Sequence, residues 1–600
     1  MLKQALRTTL LLTGVACPLV YGALGENAIA QAPHQPPTIQ QPSFILPCPV
    51  PSEFCSSLSS SLPPHNPLPE GFLESNWLEF SPLSSLSVPS SPSPSNPLQI
   101  TQNNIPIEGI SVLGSTLFSD QDFAPLINPY IGQSISAETL TKIADSITDL
   151  YIERGYITSR AVVNSETIST GKIEIIVFEG GIEAIEIEGN QRLLDQYLRS
   201  RIAVGTQPPL NLRKLEDQLK LLRLNPLIEN IEVQLTPGSN PFQYILRARV
   251  TEDKQYFGEV GANNQSPPTI GSEQIFGNFR HLNLTGRGDQ LFLGYNRTWQ
   301  GGSNQLGFNY SLPVNPMEGT LSLGVNLDWQ RAVSGILQQF NAEGRSQRYS
   351  IGFRQPLRRT STEEFALSLG FEVFNEQTFL SGRPFSFGAP TNADGKVRTR
   401  VLTFAQDYLR RDQAGAWLLR SEFRLGADWF DATKSNVSGV ADGQFLSWLG
   451  QVRRVQRVGD NHLFLVSADL QLASQPLLPS ELFPVGGARS VRGFRQNVRA
   501  GDNGLRFSVE DRITVLRDEG GNATLLVVPF VDLGWVWNNS QNVFPLGNQN
   551  FIAGVGGGIL WNPIDNLEIR LEYGYPLVNL RDRGRNAQDD GLYFSVNYRF

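Results

Sequence analysis

The stretch LSLGVNLDWQ (Leu321–Gln330) sets Leu321, Leu323, Val325, Leu327 and Trp329 against Ser322, Gly324, Asn326, Asp328 and Gln330 in strict alternation. Period two is the mark of a strand whose two faces meet different surroundings. LEIRLEYGY repeats it, with Leu567, Ile569, Leu571, Tyr573 and Tyr575 alternating with Glu568, Arg570, Glu572 and Gly574. From about Asp253 to the end the pattern persists, and no helical segments are available to cover an apolar sheet face. In WLLRSEFRLGADWF the polar side carries Arg420, Glu422, Arg424 and Asp428, too much charge for a second core. An apolar band in lipid, a wet charged lumen and closure of the sheet satisfy both faces and the backbone. The region spans 348 residues (600 − 253 + 1), and at about 22 per strand and connection this predicts a membrane β-barrel of about 16 antiparallel strands.

Connections are expected to alternate between short and long. Three turns recur as aromatic, two residues, proline, apolar: YSLPV (Tyr310, Pro313), FRQPL (Phe353, Pro356) and YGYPL (Tyr573, Pro576). Proline suits a strand end because it has no amide to leave unpaired. The triplet Arg287–Asp289 (RGD) reads as a hairpin turn, and GVGGG (Gly554–Gly558) lies inside an alternating strand with no helix after it, which removes the phosphate-loop reading. LYFSVNYRF closes the chain with Leu592, Phe594, Val596, Tyr598 and Phe600 on one face.

At the other end, a cationic start at Lys3 and Arg7, an apolar middle and small residues at Ala28, Ala30 and Ala32 make residues 1–32 a secretory signal peptide. Its removal takes Cys17 and leaves Cys48 and Cys55, which either bridge in an oxidising compartment or stay as two thiols in a tail. Residues 33–103 hold 16 of the 39 prolines and serine runs such as SSPSPSNP, the composition of a linker. EGFLESNWLEF (Glu70–Phe80) is either a short amphipathic helix or an aromatic-bearing loop.

Between linker and barrel, one unit is written twice. GISVLG ends at Gly114 and precedes a helix with Leu140, Ile143, Ile147 and Leu150 on one face; AIEIEG ends at Gly189 and precedes Leu212, Leu215, Leu219 and Leu222. Gly114 to Gly189 and Leu140 to Leu215 are both 75 residues, and each unit ends in alternating strands, KIEIIVFEG and YILRARVTE. Two α+β domains follow, 104–180 and 181–252, ahead of a barrel over 253–600. Such a unit is either a spacer or a platform whose free sheet edge accepts an extended guest chain.

Net charge is −8, which excludes a general nucleic-acid binder. The four histidines (His34, His65, His281, His462) are scattered, so neither a zinc site nor a catalytic triad can be drawn from them; no enzyme activity, metal or cofactor is expected.

The connection SVRGFRQNVRAGDNG (Ser490–Gly504) is unusually basic for a link between two strands. Two small α+β units before a barrel, and VRGF in a long connection, resemble the two-partner secretion transporters of the haemolysin secretion/activation type, relatives of the outer-membrane assembly insertases. The resemblance covers residues 104–600 and implies that the two units are polypeptide-transport-associated (POTRA) domains. It also implies that the connection after the eleventh strand folds into the lumen with Val491, Arg492, Gly493 and Phe494 at its tip. FPVGG (Phe483, Gly486, Gly487) matches the family's loop-base element, GDNGLRFSVE ending at Glu510 resembles the strand that follows, and FVDLG offers Asp532 as the barrel-wall partner of Arg492. Tyr598 and the terminal Phe600 resemble the assembly signal of outer-membrane barrels.

What the resemblance implies is a protein in the outer membrane with its N-terminal domains in the periplasm. It would export a haemagglutinin- or haemolysin-like partner, contact outer-membrane lipids, and depend on the barrel assembly machinery and periplasmic chaperones. A barrel-assembly insertase and a passive porin remain as rival readings. Exchanging the charges of Arg492 and Asp532 is expected to restore part of the function lost in Arg492→Ala, and Arg489, Arg495 and Arg499 are expected to line a wet pore.

Overall fold

The computed structural model describes residues 104–387, 394–547 and 549–600. The signal segment, the linker, the EGFLESNWLEF segment and both Cys48 and Cys55 lie outside the described residues.

Each N-terminal unit is a three-stranded sheet under two helices, and the two share one topology. In the first, strand Gly109–Leu113 lies parallel to Lys172–Phe178, which pairs antiparallel with Arg160–Val163. In the second, Gly181–Glu188 lies parallel to Gln243–Glu252, which pairs antiparallel with Ile228–Pro237. Helix Ala137–Glu153 starts where the Ser136 hydroxyl accepts the Thr139 N–H at 3.2 Å, and it buries Leu140, Ile143 and Ile147 against the sheet. Its counterpart, Leu212–Arg223, is capped by Asn211 and buries Leu215, Leu219 and Leu222. The repeat reaches single glycines. Gly114 (φ +84°) and Gly189 (φ +87°) both sit where a Cβ would strike a carbonyl oxygen of the central strand, that of Val177 and of Val250 respectively.

Residues 256–599 close into a barrel of sixteen antiparallel strands. The first is Tyr256–Asn263, the eleventh His462–Ala473, the twelfth Asn503–Arg517, the fifteenth Leu567–Pro576 and the sixteenth Leu592–Arg599. The thirteenth runs in two pieces, Ala523–Val527 and Phe530–Trp537. Leu321, Leu323 and Trp329 point outward and are exposed, while Asp328 and Gln330 are buried in the lumen. This is the inversion of a soluble protein that alternation demands of a barrel in lipid.

Short links such as 413–414 and 565–566 occupy the rim that carries the N-terminal units, and long ones such as 427–444 and 577–591 occupy the far rim. Two details differ from the sequence expectations. Pro356 is not at a turn but inside strand Glu343–Arg359, where the register slips between Pro356 and Arg358; a bulge relieves the ladder of the amide that proline lacks. Pro576 ends a strand but opens the long link 577–591 rather than a tight turn. Asp428 lies beyond strand Gly415–Gly426 and pairs with Lys434 at 2.7 Å, whereas Arg420, Glu422 and Arg424 do face the lumen. Among the described residues one short α-helix, Gly335–Gln339, interrupts the all-β region.

The sixteenth strand meets the first over only Ser595–Arg599 against Asn263–Glu259, while the sixth and seventh pair from Glu343↔Phe379 to Arg359↔Glu364. That short seam is completed by reciprocal 2.9 Å hydrogen bonds between the backbones of Phe600 and Gly258.

The second N-terminal unit is clamped to the near rim. Arg201, on helix Asp195–Gly205, donates to Glu318 at 2.6 Å and stacks 3.5 Å over the Tyr197 ring. Asp217 accepts both the backbone N–H (2.9 Å) and the hydroxyl (2.5 Å) of Ser361. The Leu194 N–H reaches the Gly286 carbonyl at 2.9 Å, in the turn that contains the RGD triplet. Burial pushes the Tyr197 hydroxyl up to about 12, so it stays protonated in this joint.

Candidate functional site: a pinned lumenal loop

After the eleventh strand, residues 474–502 turn back into the barrel. A miniature antiparallel pair, Phe483–Val485 with Arg499–Gly501, forms the stem. The tip closes on itself through Gly487 N–H to Val491 O (3.1 Å) and Asn497 N–H to Gly486 O (3.2 Å). Gly486 (φ +107°), Gly487 (φ +99°) and Gly493 (φ +100°) supply left-handed backbone at the turns. Phe483, Val485, Val491, Phe494 and Val498 pack with Val536 and Ile552 of the barrel wall, giving the loop a small apolar core of its own inside a polar lumen.

Arg492, 4% exposed, meets three carboxylates. Its Nε and Nη2 donate to the two oxygens of Asp532 at 2.7 and 2.9 Å, and its Nη1 donates to Glu510 and Glu572, each at 2.7 Å. Its backbone N–H adds a bond to Asp532 at 3.0 Å, and its guanidinium lies 3.4 Å from the Phe530 ring centre. The two-pronged bond to Asp532 fixes the plane of the guanidinium as a single contact could not. Arg570 and Arg512 also contact Glu510, and Arg570 contacts Glu572, so three guanidiniums face three carboxylates. Asp532, wholly buried, has among the described residues Ser508 (2.6 Å) as its one side-chain donor besides Arg492.

Close approach of the tip depends on missing side chains. A Cβ on Gly554 would collide with the Arg492 carbonyl oxygen, and one on Gly574 would collide with the Gly493 nitrogen. The glycine run 554–558 thus includes part of a floor for the tip. The Tyr593 hydroxyl accepts the N–H groups of Gly493 and Phe494, both at 2.9 Å, and donates to the Phe494 carbonyl at 2.6 Å.

The remaining arginines have partners, contrary to the expectation that they merely line the pore. Arg495 bonds Asp582 and Asp589 at 3.0 and 3.1 Å, Arg499 bonds Asp582 at 2.7 Å, and Arg489 bonds Gln265 at 3.0 Å. Burial alone would raise the Asp582 carboxyl, but the Arg499 hydrogen bond and the charges of Arg499 and Arg495 outweigh it and hold it at about 2. The loop base has a second anchor, as Glu481 pairs with Arg424 at 3.0 Å, which also reaches Glu372 at 3.0 Å.

Phe483 is buried over Gly504 at the loop base. Tyr598 and Phe600 are exposed on the outer face, rings 6.4 Å apart, with Phe600 covering Gly258 of the first strand. Among the described residues no group of three or more His, Cys, Asp or Glu is placed to hold a metal ion. Sequence reading missed Glu572, Tyr593, Gln588 and Glu481 as parts of this site. Glu572 had been placed on the polar face by alternation, but which strands its neighbours come from was not visible.

Residues 245–560 match the family described as haemolysin secretion/activation protein ShlB/FhaC/HecB, and residues 105–180 match the ShlB-type POTRA domain. Curated relatives include the outer membrane transporter CdiB of Escherichia coli, 25% identical over 453 residues that cover 74% of each chain. The hemolysin transporter protein ShlB of Serratia marcescens is 24% identical over 426 residues, covering 67% of this chain and 70% of that one. Among solved structures, CdiB from Escherichia coli superposes with a TM-score of 0.66 at 21% identity, over 88% of this chain and 96% of that one. CdiB from Acinetobacter baumannii gives 0.58 at 17% identity, over 85% and 94%. With its match to the family spanning more than half of its length, this chain belongs to the ShlB/FhaC/HecB haemolysin secretion/activation proteins.

Proposed function

We propose that this chain is an outer-membrane transporter that takes one unfolded exported partner from the periplasm, engages it through the units at 104–252, and passes it through the barrel to the cell surface. The observation that carries this is the pairing of a clamped N-terminal platform with a lumenal loop held to one wall by a buried ion pair. A nutrient pore needs neither. The loop tip sits on the twelfth to sixteenth strands, while the lumenal faces of the third to seventh carry Gly294, Gly307, Gly324, Gly352 and Gly370. On this reading the extended chain passes along that wall. The Arg492–Asp532 pair serves to fix the resting loop, since a buried ion pair specifies geometry more surely than it adds stability. Folding of the partner outside the cell supplies direction without a nucleotide. The exposed Tyr598 and Phe600 mark the finished chain for the barrel assembly machinery, with periplasmic chaperones and outer-membrane lipids as further partners.

The test is co-expression with a large repetitive β-rich exported protein, sought in the neighbouring gene, comparing the full chain with one lacking residues 105–178. Loss of surface partner with a barrel that still runs as a folded, heat-modifiable species supports the transporter. Undiminished partner at the surface, or a general fall in outer-membrane barrels on depletion of the full chain, overturns it, the latter in favour of an insertase.

A further inference from the structure

The outer end of the seam is closed by side chains as well as by backbone. The first strand stops at Asn263, yet the sixteenth begins at Leu592, so Leu592–Phe594 overhang on that side with one backbone bond, from the Asn264 N–H to the Phe594 carbonyl at 3.3 Å. The Asn264 carboxamide takes the ladder's place. Its Nδ2 donates to the Leu592 carbonyl at 2.9 Å and its Oδ1 accepts the Phe594 N–H at 2.9 Å. Asn264 is itself held by Gln588, whose Nε2 donates to the carbonyls of Asn264 and Ser266 (2.7 Å to the latter). The Oε1 of Gln588 accepts the backbone N–H of Gln496, in the lumenal loop, at 2.8 Å. Asn264 and Gln588 are fully buried, and Tyr593, the lumenal residue of the overhang, is 2% exposed with its hydroxyl filled by the loop tip.

We infer that Tyr593, Gln588 and Asn264 are positioning residues that make closure of the seam's outer end conditional on the docked lumenal loop. This rests on the proposed transport cycle only for its purpose; the coupling itself is a property of the resting molecule. When the tip leaves, Tyr593 loses two donors and an acceptor and Gln588 loses its one contact to the loop. The overhang then keeps only the Asn264 carboxamide and the adjoining backbone, whose own support from Gln588 is no longer fixed in place. Coupling of this kind is reciprocal, so loosening the seam must also loosen the tip. The side-chain hydrogen bonds of Arg492 go to the twelfth, thirteenth and fifteenth strands, which makes it the instrument that separates coupling from local damage.

Hydrogen–deuterium exchange on the full-length folded protein reads both ends at once, in residues 488–498 and in residues 258–266 and 592–600. Three variants serve: Tyr593→Phe, which removes only the oxygen; Asn264→Ala, which breaks the seam side; and Arg492→Ala. The expected result is that each raises exchange at least tenfold at both ends, while residues 343–380 stay unchanged. Arg492→Ala or Tyr593→Phe freeing the tip with an unchanged seam overturns the inference, as does Asn264→Ala opening the seam with the tip still protected. Should Tyr593→Phe fail to assemble, Gln588→Ala replaces it. Partner secretion is not read here, so failure of the coupling leaves the transport proposal standing.

Discussion

Replacing Arg492 by alanine is expected to release the loop tip, and the structure says how far. Of the three carboxylates it serves, Glu510 keeps Arg512 (3.0 Å) and Arg570 (3.1 Å), and Glu572 keeps Arg570 (2.9 Å). Among the described residues Asp532 keeps only the Ser508 hydroxyl and the backbone N–H of residue 492. The penalty therefore falls on one buried, uncompensated charge. Removing one partner of such a pair costs about 3–5 kcal/mol, and the surviving Ser508 bond argues for the lower end. At 1.36 kcal/mol per tenfold, about 3 kcal/mol moves the docked-to-free equilibrium by roughly 10²-fold. The assay is maleimide labelling of Ser490→Cys, a buried tip position, in a chain whose Cys17, Cys48 and Cys55 are serine. Labelling should quicken by about 100-fold with Arg492→Ala, and by much less with Arg492→Met combined with Asp532→Asn, which removes the stranded charge. Equal rates in the two variants would refute the reasoning, because the apolar packing of Phe494 and Val491 would then be what holds the tip. Exchanging the two charges should not rescue, against the expectation from sequence: an aspartate at 492 would face Glu510 and Glu572 as well.

Gly574→Ala should undock the tip without touching any charge, because its Cβ would collide with the Gly493 nitrogen, and labelling at Ser490→Cys should quicken as for Arg492→Ala. Glu318→Ala removes the acceptor of Arg201 and should weaken the joint between the second N-terminal unit and the barrel by about 1.5–3 kcal/mol. Limited proteolysis between residues 252 and 256 should then be faster, and an unchanged rate would assign the joint to Asp217 and Leu194 instead. Because the Asp582 carboxyl lies below its ordinary value, its pairing with Arg495 and Arg499 contributes stability that is complete above about pH 4 and is lost as pH falls through about 2. Exchange protection of residues 577–591 should accordingly stay flat from pH 7 to 4; loss near pH 5 would place the anchor elsewhere.

What sequence could carry was whatever depends on near neighbours. Alternation at Leu321–Gln330 and Leu567–Tyr575 put the right residues outside, and the length gave the strand number, because every strand obeys the same solvent inversion. The repeat was legible down to Gly114 and Gly189, since both answer the same steric demand. The three-carboxylate pocket was not. Glu510, Asp532 and Glu572 sit on the twelfth, thirteenth and fifteenth strands, and only inter-strand register brings them onto one guanidinium. Likewise the partners of Arg495 and Arg499 come from residues 582 and 589, in a link with no periodicity to read. Pro356 misled because a bulge and a turn answer the same missing amide.

The seam carries a consequence for the order of events in biogenesis. Asn264 and Phe594, which it brings together, are 330 residues apart, and a further reciprocal bond pair joins Phe600 to Gly258. Contacts at such separation form late, because the intervening chain must first be ordered. The ring cannot be completed while any strand is still to be delivered, so fifteen strands wait with two unpaired edges, each able to pair with a stranger. A tag or truncation at Phe600 should therefore be felt as delayed maturation and aggregation of newly exported chains long before it is felt in the finished barrel.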